Sequence, residues 1–369
     1  DGECCFVETP EFLFDAGGDF QNQVEPDLTV SAKKLLPYVR KHFNVRNEDD
    51  VILLTILIVS SMMGMGFNHP VILIQGEKGS GKSECLKKIE MIVDPKASGI
   101  CTYTNSKEAI VLRLSNSYFT CFDNVSYIPK AISDLFCSAV TGACDTTRKL
   151  YTDTEERILN LHSIIAMTSI NGVARSADLI DRSCLITLNR FKKSEIKTES
   201  NIMTSFKKDL PLLLGSIFNT IAIVLNDKKK VKANEKIRLA DFHVKSIKIG
   251  RALGIEEDRI TEILFQNRME LSLNILESSS IAICIRILME DVIEYKDTPT
   301  NCLRQLRIIA KQEGIDATTL PKDAARLTRA LILIKDELNS VYGIEVKQKR
   351  SKERLYVIKN KNLIEDTEV

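Results

Sequence analysis

The sequence lacks several features that would assign it to a functional class at once. Its 51 Lys and Arg nearly balance 50 Asp and Glu, so the net charge of +1 favours neither nucleic acid nor a membrane surface overall. Ten cysteines form no CxxC pair and are accompanied by only four histidines, which argues against a zinc site. We interpret them as reduced structural thiols, which indicates a reducing compartment, and we expect a cytoplasmic location.

The most apolar run of the sequence is also too short to cross a bilayer. It begins at Val51 and has 13 residues before Gly64, ten of them strongly apolar, whereas a transmembrane helix needs about 20. It follows "RNEDD", a good helix start, which favours a buried helix. No signal peptide, internal repeat or low-complexity segment is visible, and we expect no membrane association. Because the first residue is Asp1, we expect a fragment of a longer protein.

Short apolar strands alternate with helices between about residues 70 and 190. The strands are "PVILI", "SYFTCFD", "SIIAMTS" and "CLITL", and their alternation with helices predicts an α/β fold with a parallel sheet covered on both faces. Helical patterns continue to about 295, and a helix, a helix and a basic β-hairpin follow, the layout of a winged helix. The predicted segments are a linker or the end of an upstream domain over 1–30, a P-loop core with N-terminal helices over 31–195, a helical lid over 196–295, a winged-helix domain over 296–362 and a tail over 363–369.

The stretch "GEKGSGKS" fits the P-loop pattern G-x-x-x-x-G-K-[ST] and lies between a strand and a helix. Its glycines allow backbone N–H groups to surround phosphate oxygens at the positive end of the helix. Lys82 would reach the β- and γ-phosphates, and the Ser83 hydroxyl would bind Mg²⁺. We therefore expect ATP and Mg²⁺ as cofactors. The residues expected to hold the nucleotide are Gly76, Glu77, Lys78, Gly79, Ser80, Gly81, Lys82, Ser83 and Glu84.

A carboxylate that organises Mg²⁺ is expected at the end of a neighbouring strand, and "SYFTCFDNV" supplies Asp123. The alternative is an aspartate that only closes the strand. Asn124 follows where many such ATPases carry a glutamate that polarises the attacking water. An asparagine can orient a water molecule but cannot accept its proton, so either hydrolysis is slow or another residue is the base.

A polar residue after "SIIAMTS" would lie between the ends of the other two strands and contact the γ-phosphate or its water. Asn171 is the first candidate and Thr168 the second, although an asparagine in an ordinary turn is the alternative for Asn171. Arg182 in "DLIDRS" precedes the last strand and could reach the next subunit's nucleotide, where it would stabilise developing charge. Arg175 is the second candidate for this role. Surface arginines paired with nearby aspartates are the alternative for both.

The segment "TGACDTTRKLYTDTEERILNLHS" predicts a β-hairpin inserted before that strand. Arg148, Lys149 and Tyr151 stand near its tip, and basic and aromatic side chains suit contacts with phosphates and bases in a channel. An ordinary exposed hairpin is the alternative.

Together these residues resemble the AAA+ ATPases of bacterial mobile elements and phages, a group related to the MCM and superfamily-3 replicative helicases and often fused to primase-like domains. The resemblance rests on the P-loop, "FDNVS", "SDLFC", "RKLYTD" and "NGVARSADLIDRS", and it covers about residues 35–300. It implies an AAA+ P-loop ATPase core and a homo-oligomeric ring, expected to be a hexamer. The chain departs from the helicase pattern at Asn124. The roles implied are Lys82 and Ser83 as clamp residues, Asp123 as the Walker B carboxylate, Asn171 as first sensor, Arg182 as arginine finger, Lys149 as a DNA contact and Arg238 as a second sensor.

Residues 301–362 carry 14 Lys and Arg against 7 Asp and Glu, so this segment is markedly basic in a balanced chain. Each phosphate contact adds salt-sensitive affinity through counterion release, which suits DNA binding. A solvated hairpin, or a winged helix that contacts protein, is the alternative. The expected DNA contacts are Arg326 and Arg329 on the recognition helix and Lys347, Lys349, Arg350 and Lys352 on the wing.

These observations lead to two main hypotheses. The first is a ring-forming, ATP-dependent DNA helicase or translocase that replicates a mobile element and acts on single-stranded and forked DNA. The second is an ATP-switched, DNA-binding initiator or loader with little unwinding activity, which Asn124 favours. An upstream primase-like domain or a replication initiator is a possible partner. A signalling ATPase that binds only proteins is disfavoured by the basic C-terminal segment.

Overall fold

The computed structural model describes residues 4–7, 19–142, 144–148, 156–161, 163–170, 176–191, 199–350 and 354–365. The chain divides into two compact units, Asp1–Val173 with Asp181–Asn267, and Ala174–Ile180 with Arg268–Val369. This division differs from the segments that the sequence pattern suggests, and the limits of those segments stay a prediction.

A fully parallel, five-stranded sheet forms the centre of the first unit, which confirms the predicted α/β fold class. The strands of this unit are β1 (Val71–Gln75), β2 (Cys101–Thr102), β3 (Phe119–Asp123), β4 (Cys144–Arg148), β5 (Glu156–Asn160), β6 (Ile164–Ser169) and β7 (Ser183–Thr187). The sheet order is β2-β3-β6-β1-β7. All six residues of β6 and the first four of β1 and β3 are buried, as expected for parallel strands covered on both faces.

Helices connect and cover these strands. They are α1 (Leu35–His42), α2 (Glu48–Ser61), α3 (Lys82–Val93), α4 (Lys107–Asn116), α5 (Lys130–Val140), α7 (Glu199–Asn226), α8 (Ala240–Ala252) and the first half of α9 (Glu257–Ser278), with a 3₁₀ turn at Ala32–Lys34 before α1. The short helix α6 (Ala177–Ile180), between β6 and β7 in the chain, and the residues of α9 from Arg268 onward belong to the second unit. Asn47 caps α2 by accepting the N–H of Asp50 at 2.8 Å, and acidic residues occupy the first turn. Every residue of α2 from Asp50 onward is buried, which confirms that the apolar run at Val51 forms a buried helix.

Within the described residues, one helix, Ser200–Asn226, is long and apolar enough to cross a membrane by length and composition, and half of its most apolar window is buried inside the protein. The bent pair Glu257–Ser278 and Ser280–Leu288 passes the same test only if counted as one span. Buried core helices pass it as well. The described cysteines are free, and burial raises the pKa of Cys85 and Cys184 to about 12, so these thiols are packing residues.

The antiparallel pair β4–β5 lies between α5 and β6 in the chain, and its register runs from Cys144 opposite Asn160 to Arg148 opposite Glu156. The predicted inserted hairpin is therefore confirmed at the level of the backbone. Its tip, with Lys149 and Tyr151, lies outside the described residues, and of Arg148 only the backbone is described.

The second unit contains a small antiparallel sheet with the order β8-β10-β9. Its elements are α10 (Ser280–Leu288), β8 (Glu294–Asp297), α11 (Pro299–Gln312), α12 (Ala324–Tyr342), β9 (Ile344–Arg350), β10 (Arg354–Asn360) and α13 (Lys361–Glu365), with a 3₁₀ turn at Ala317–Thr319. The two helices and the hairpin were predicted. The third strand, β8, was not, because "EYKD" is too short and too polar to show an alternating pattern.

Local sequence sets the limits of the two long helices of this unit. Thr298 caps α11 by accepting the N–H of Asn301, and Pro299 occupies the first turn, where no N–H is needed. Asp323 caps α12 by accepting the N–H of Arg326 at 2.8 Å. Gly343 ends α12 with a left-handed φ of 68°, a conformation that glycine adopts without strain.

Candidate nucleotide-binding site

The loop between β1 and α3 borders a cavity of about 850 Å³. Two of its glycines are required by geometry. Gly81 has a left-handed φ of 81°, and a Cβ at Gly76 would lie 2.6 Å from Ser80 Oγ and 3.0 Å from the Leu188 carbonyl oxygen. The loop therefore folds tightly on itself and against the chain that follows β7. The cavity is lined by Lys78, Gly79, Ser80, Gly81, Lys82, Ser83, Glu84, Lys87, Asp123, Asn124, Thr168, Ile170, Phe191 and Ile202.

Lys82 begins α3, and its ammonium group lies against the inside of the loop. Nζ donates to the carbonyl oxygens of Gly76 at 2.7 Å and Glu77 at 2.9 Å. Partial burial lowers the pKa of Lys82, and the charge of Asp123 opposes this shift. The ammonium thus has two neutral carbonyl partners, which an anionic phosphate would outcompete because two opposite charges add a Coulomb attraction to the hydrogen bond.

A hydroxyl and a carboxylate meet beside this lysine. Ser83 Oγ lies 2.8 Å and 3.0 Å from the two carboxylate oxygens of Asp123. Thr168 Oγ1, at the end of β6, donates to Asp123 as well. Hydroxyl and carboxylate oxygens are the donors that Mg²⁺ prefers, so this group fits the ion chemically. Thr168, the second candidate for the sensor position, therefore lies at Asp123 and lines the cavity.

Asn124 follows this carboxylate with a left-handed φ of 57°, which asparagine tolerates better than most residues. Its backbone N–H donates to Thr168 Oγ1 at 2.8 Å, and the next N–H, of Val125, donates to the Thr168 carbonyl oxygen at 2.8 Å. The ends of β3 and β6 are therefore joined, and Asn124 is held at the wall of the cavity.

Glu84, which we expected to contact the nucleotide, forms an ion pair with Lys88 one turn further along α3. Lys88 is only 3% exposed, and its Nζ donates to the carbonyl oxygen of His42 at 2.8 Å. The same Nζ lies 5.7 Å from the ring centre of Phe206 and 5.9 Å from that of Phe43. Glu84 still lines the cavity, but its charge is balanced from within the protein.

A second cavity of about 650 Å³ adjoins the first across the loop and shares five lining residues with it: Ser80, Gly81, Glu84, Phe191 and Ile202. Its outer wall is fixed where Val45 and Leu188 form an antiparallel bridge. This cavity offers both ring and amide contacts next to the phosphate loop. The residues that line only the second cavity are Arg40, Lys41, His42, Phe43, Asn44, Val45, Cys85, Lys88, Leu188, Asn201 and Ser205.

Arg182 and Arg238 lie at the other end of the sheet. The Arg182 carbonyl oxygen accepts the N–H of Val71, the first residue of β1, whereas the loop follows the last. The five residues of β1 separate these ends by about 16 Å at a rise of about 3.3 Å per residue. Arg238 Nη1 lies 3.8 Å from Asp181 Oδ2, beside Arg182. Arg238 therefore lies near Arg182, the candidate arginine finger, and not beside the P-loop of its own chain.

Several predicted site residues fall outside the described part of the chain: Asn171, Arg175, Lys149, Tyr151 and Lys352. In the second unit, the candidate DNA contacts Arg326, Arg329, Lys347 and Lys349 are all exposed, and only the backbone of Arg350 is described. Lys347 pairs with Glu345 at 2.7 Å, so part of its charge is balanced locally.

Four residues that line these cavities belong to no motif in the sequence: Phe191, Ile202, Lys87 and Lys88. Phe191 follows the last strand of the sheet, and the rule that parallel strands bring their carboxyl ends to one edge would have indicated it. Ile202 comes from α7, and nothing in the local sequence connects it with the phosphate loop.

A glycine loop that brings Lys82, Ser83 and Asp123 together at the carboxyl edge of a parallel sheet defines a P-loop fold of the α/β class. The chain belongs to the replication proteins of actinomycete integrative conjugative elements. The family model for these proteins matches residues 41–260, and the model for the AICE RepA C-terminal domain matches residues 281–367. The expected membership among replication proteins of mobile elements is thereby confirmed.

Solved structures that are similar to the chain include the following two. The apo structure of the NrS-1 C-terminal region is 10% identical, with a TM-score of 0.40, over 96% of this chain and 79% of that one. A structure of JCV helicase is 14% identical, with a TM-score of 0.31, over 61% of this chain and 66% of that one. The comparison with curated proteins found no match.

Proposed function

We propose that this chain is an ATP-dependent, ring-forming DNA helicase or translocase that drives replication of its conjugative element. The observation that carries the proposal is the meeting of Lys82, Ser83 and Asp123 in one cavity, followed in the chain by the inserted hairpin β4–β5. A nucleotide site alone is common to many functions. The hairpin next to it, in a family of replication proteins, supports coupling of that site to DNA.

In this proposal the first cavity takes the phosphates and the second takes the base and sugar of ATP. Lys82 would hold the phosphates, and Ser83 and Asp123 would hold Mg²⁺. The ion supplies neutralisation of the charge on the phosphate oxygens. Thr168 keeps the Asp123 carboxylate oriented through its hydrogen bond. Asn124 can orient the attacking water through its amide but cannot take the proton.

The opposite edge of the sheet supports a shared site between subunits. The length of β1, about 16 Å, separates the backbone of Arg182 from the chain's own phosphate loop, and Arg238 lies beside Asp181 at the same end, so we propose that both act on a nucleotide bound to a neighbouring copy. We include a hexameric ring and a cytoplasmic location in the proposal.

The second unit supports duplex binding. The order helix, strand, helix, helix, hairpin, with β8 and β9 on either side of β10, is the arrangement of a winged helix. We propose that α12 is its recognition helix and that β9 and β10 form the wing, with exposed Arg326, Arg329, Lys347 and Lys349 near phosphates.

The test is ATP hydrolysis with and without single-stranded DNA, together with unwinding of a forked duplex. Lys82→Ala should lower turnover about 100-fold or more, because it removes a preorganised donor to the reacting phosphate. Lys149→Ala should remove stimulation by DNA and leave basal turnover intact, while Lys130→Ala, at an exposed lysine on α5, serves as the matched control. A folded oligomer that neither unwinds forks nor responds to DNA would refute the helicase proposal.

Asn124 supports a second candidate, an ATP-switched initiator that assembles on duplex DNA without fast hydrolysis. Its left-handed backbone fixes an amide where a catalytic carboxylate is usual in the helicases that the chain resembles. Strong ATP-dependent duplex binding with negligible turnover in the presence of DNA would favour this function over translocation.

A further inference from the structure

One face of α12 combines arginines with exposed apolar side chains. Arg326, Arg329 and Leu333 follow one another at intervals of three and four residues, so they lie on the same face of the helix. Ile332 lies beside Leu333, and these two side chains are 57% and 50% exposed. A surface helix of a soluble domain usually buries its large apolar side chains in the core. Ile332 and Leu333 are exposed instead, so they do not contribute to the core of the folded unit.

The rest of the unit fixes which face of α12 is exposed. Leu327, Leu331 and Leu338 are buried on the opposite side. Thr328 Oγ1 forms a 2.6 Å hydrogen bond with the Tyr356 hydroxyl of β10. The helix therefore cannot turn to bury Ile332 and Leu333 without breaking its own core.

The start of α12 is held as well. Arg307 of α11 donates through Nη2 to the carbonyl oxygens of Pro321 at 3.1 Å and Lys322 at 3.0 Å. Asp323 caps the first turn. A rigidly held helix suits recognition that depends on position to within a fraction of an ångström.

The charges around the apolar pair indicate an anionic partner. Arg326 and Arg329 precede it, and exposed Lys322 and Lys335 flank it. Two acidic residues partly offset this positive charge: Asp323 lies 3.5 Å from Arg326, and Asp336 follows the apolar pair by one helical turn. Asp336 would repel phosphate, so the surface that fits a nucleic acid is the N-terminal half of the helix.

We propose that this half of α12 reads double-stranded DNA in the major groove, with Ile332 and Leu333 against the C5-methyl groups of thymines and Arg326 and Arg329 at the flanking phosphates. This inference rests on the proposed DNA binding and adds to it a sequence preference. The major groove admits an α-helix, and the thymine methyl is the apolar group that it displays. Phosphate contacts position the helix, whereas the methyl contacts distinguish sequences.

The test compares two alternating duplexes, poly(dA-dT) and poly(dA-dU), which differ only in the C5-methyl. Affinities of the full chain for both are measured by fluorescence anisotropy at one fixed salt concentration. Burying a methyl group changes affinity about fourfold, so with both side chains against methyl groups the T-containing duplex should bind about 15-fold better. Leu333→Ser and Ile332→Ser should each reduce this ratio about fourfold.

Leu112→Ser is the matched control, since Leu112 on α4 is 52% exposed and lies in the other unit; it should keep the wild-type ratio. Arg329→Ala should weaken binding to both duplexes equally and lower the salt dependence by about one phosphate contact. A wild-type ratio of one overturns the methyl readout and leaves the proposed DNA binding in place. Failure to bind either duplex overturns both. A change of oligomeric state in Leu333→Ser, with the ratio unchanged, shows that this face binds protein and overturns the inference.

Discussion

Lys88 is the buried cation that joins the phosphate-loop helix to its surroundings, and replacing it with methionine tests that role. Its ammonium contacts Glu84, the carbonyl oxygen of His42 and the rings of Phe43 and Phe206. Methionine fills a similar volume, so Lys88→Met removes the charge with little change in packing. It leaves the Glu84 carboxylate and the His42 carbonyl without their partner.

Removing one member of a buried ion pair typically costs about 3–5 kcal/mol, because the other charge stays in a poorly solvated place. Glu84 has 14% side-chain exposure, whereas Lys88 has 4%, so water can reach the remaining carboxylate and the cost should be near the lower limit. A loss of about 3 kcal/mol corresponds to a fall of about 6–12 °C in the unfolding temperature of a unit of this size. Thermal unfolding followed by circular dichroism measures it.

A double variant separates charge from packing. Lys88→Met combined with Glu84→Gln should recover most of the lost stability, since no unpaired carboxylate is left. Arg259→Met is the matched control, because Arg259 pairs with Asp49 and Glu262 at the surface, where such pairs contribute about 0–1 kcal/mol. If Lys88→Met lowers the free energy of unfolding no more than Arg259→Met does, the buried ion pair does not stabilise the position of α3.

Three further predictions concern the same unit. Burial raises the pKa of Glu90 from 4.5 to about 7, so the folded state keeps a proton that the unfolded state has released; stability should fall as pH rises from about 4.5 to 7. Glu90→Gln should remove up to about 3 kcal/mol of this pH-dependent loss in the free energy of unfolding. Urea unfolding at pH 5 and pH 8 measures the loss, and the same loss in the variant as in the wild type would contradict the prediction. Asn124→Glu should raise DNA-stimulated phosphate release about 100-fold or more if the absent base limits turnover, and Asn124→Gln should not. The variants Lys82→Ala and Arg182→Ala should each be inactive when assayed alone. Mixing the two variants should restore part of the ATP hydrolysis, because some interfaces then combine an intact loop with an intact arginine. Absence of recovery would argue against an arginine that acts between subunits.

The phosphate loop and the strands around it could be predicted because their chemistry is local in the sequence. A run of apolar residues, three glycines, a lysine and a serine specify the turn, the helix start and the clamp in consecutive residues. Asp123 was found for the same reason, since it ends an apolar strand. The hairpin β4–β5 also follows from a local pattern, two alternating runs around a polar turn.

Features that depend on register or on distant segments could not be predicted. Thr168 meets Asp123 because Phe122 pairs with Met167, so the next residues along β3 and β6 lie side by side. Thr168 was the second candidate for the sensor position, after Asn171, but its contact with Asp123 was not predicted. Lys88 was missed because its partners lie on α1 and α7 as well as on its own helix. Arg238 was placed by analogy, and its position beside Asp181 depends on the packing of the helical region.

The separation of Arg238 and Arg182 from the loop has a consequence for the proposed mechanism. A parallel sheet has two distinct ends, and here the clamp occupies one while both arginines occupy the other. Side chains cannot cross the length of β1 to reach the cavity of their own chain. If these arginines contribute to hydrolysis, each site is complete only where the carboxyl edge of one copy faces the amino edge of the next. Such a contact joins unlike surfaces and repeats around a ring, whereas a two-fold dimer would join like surfaces and leave each site without an arginine. Assembly and turnover would then be controlled by the same interface.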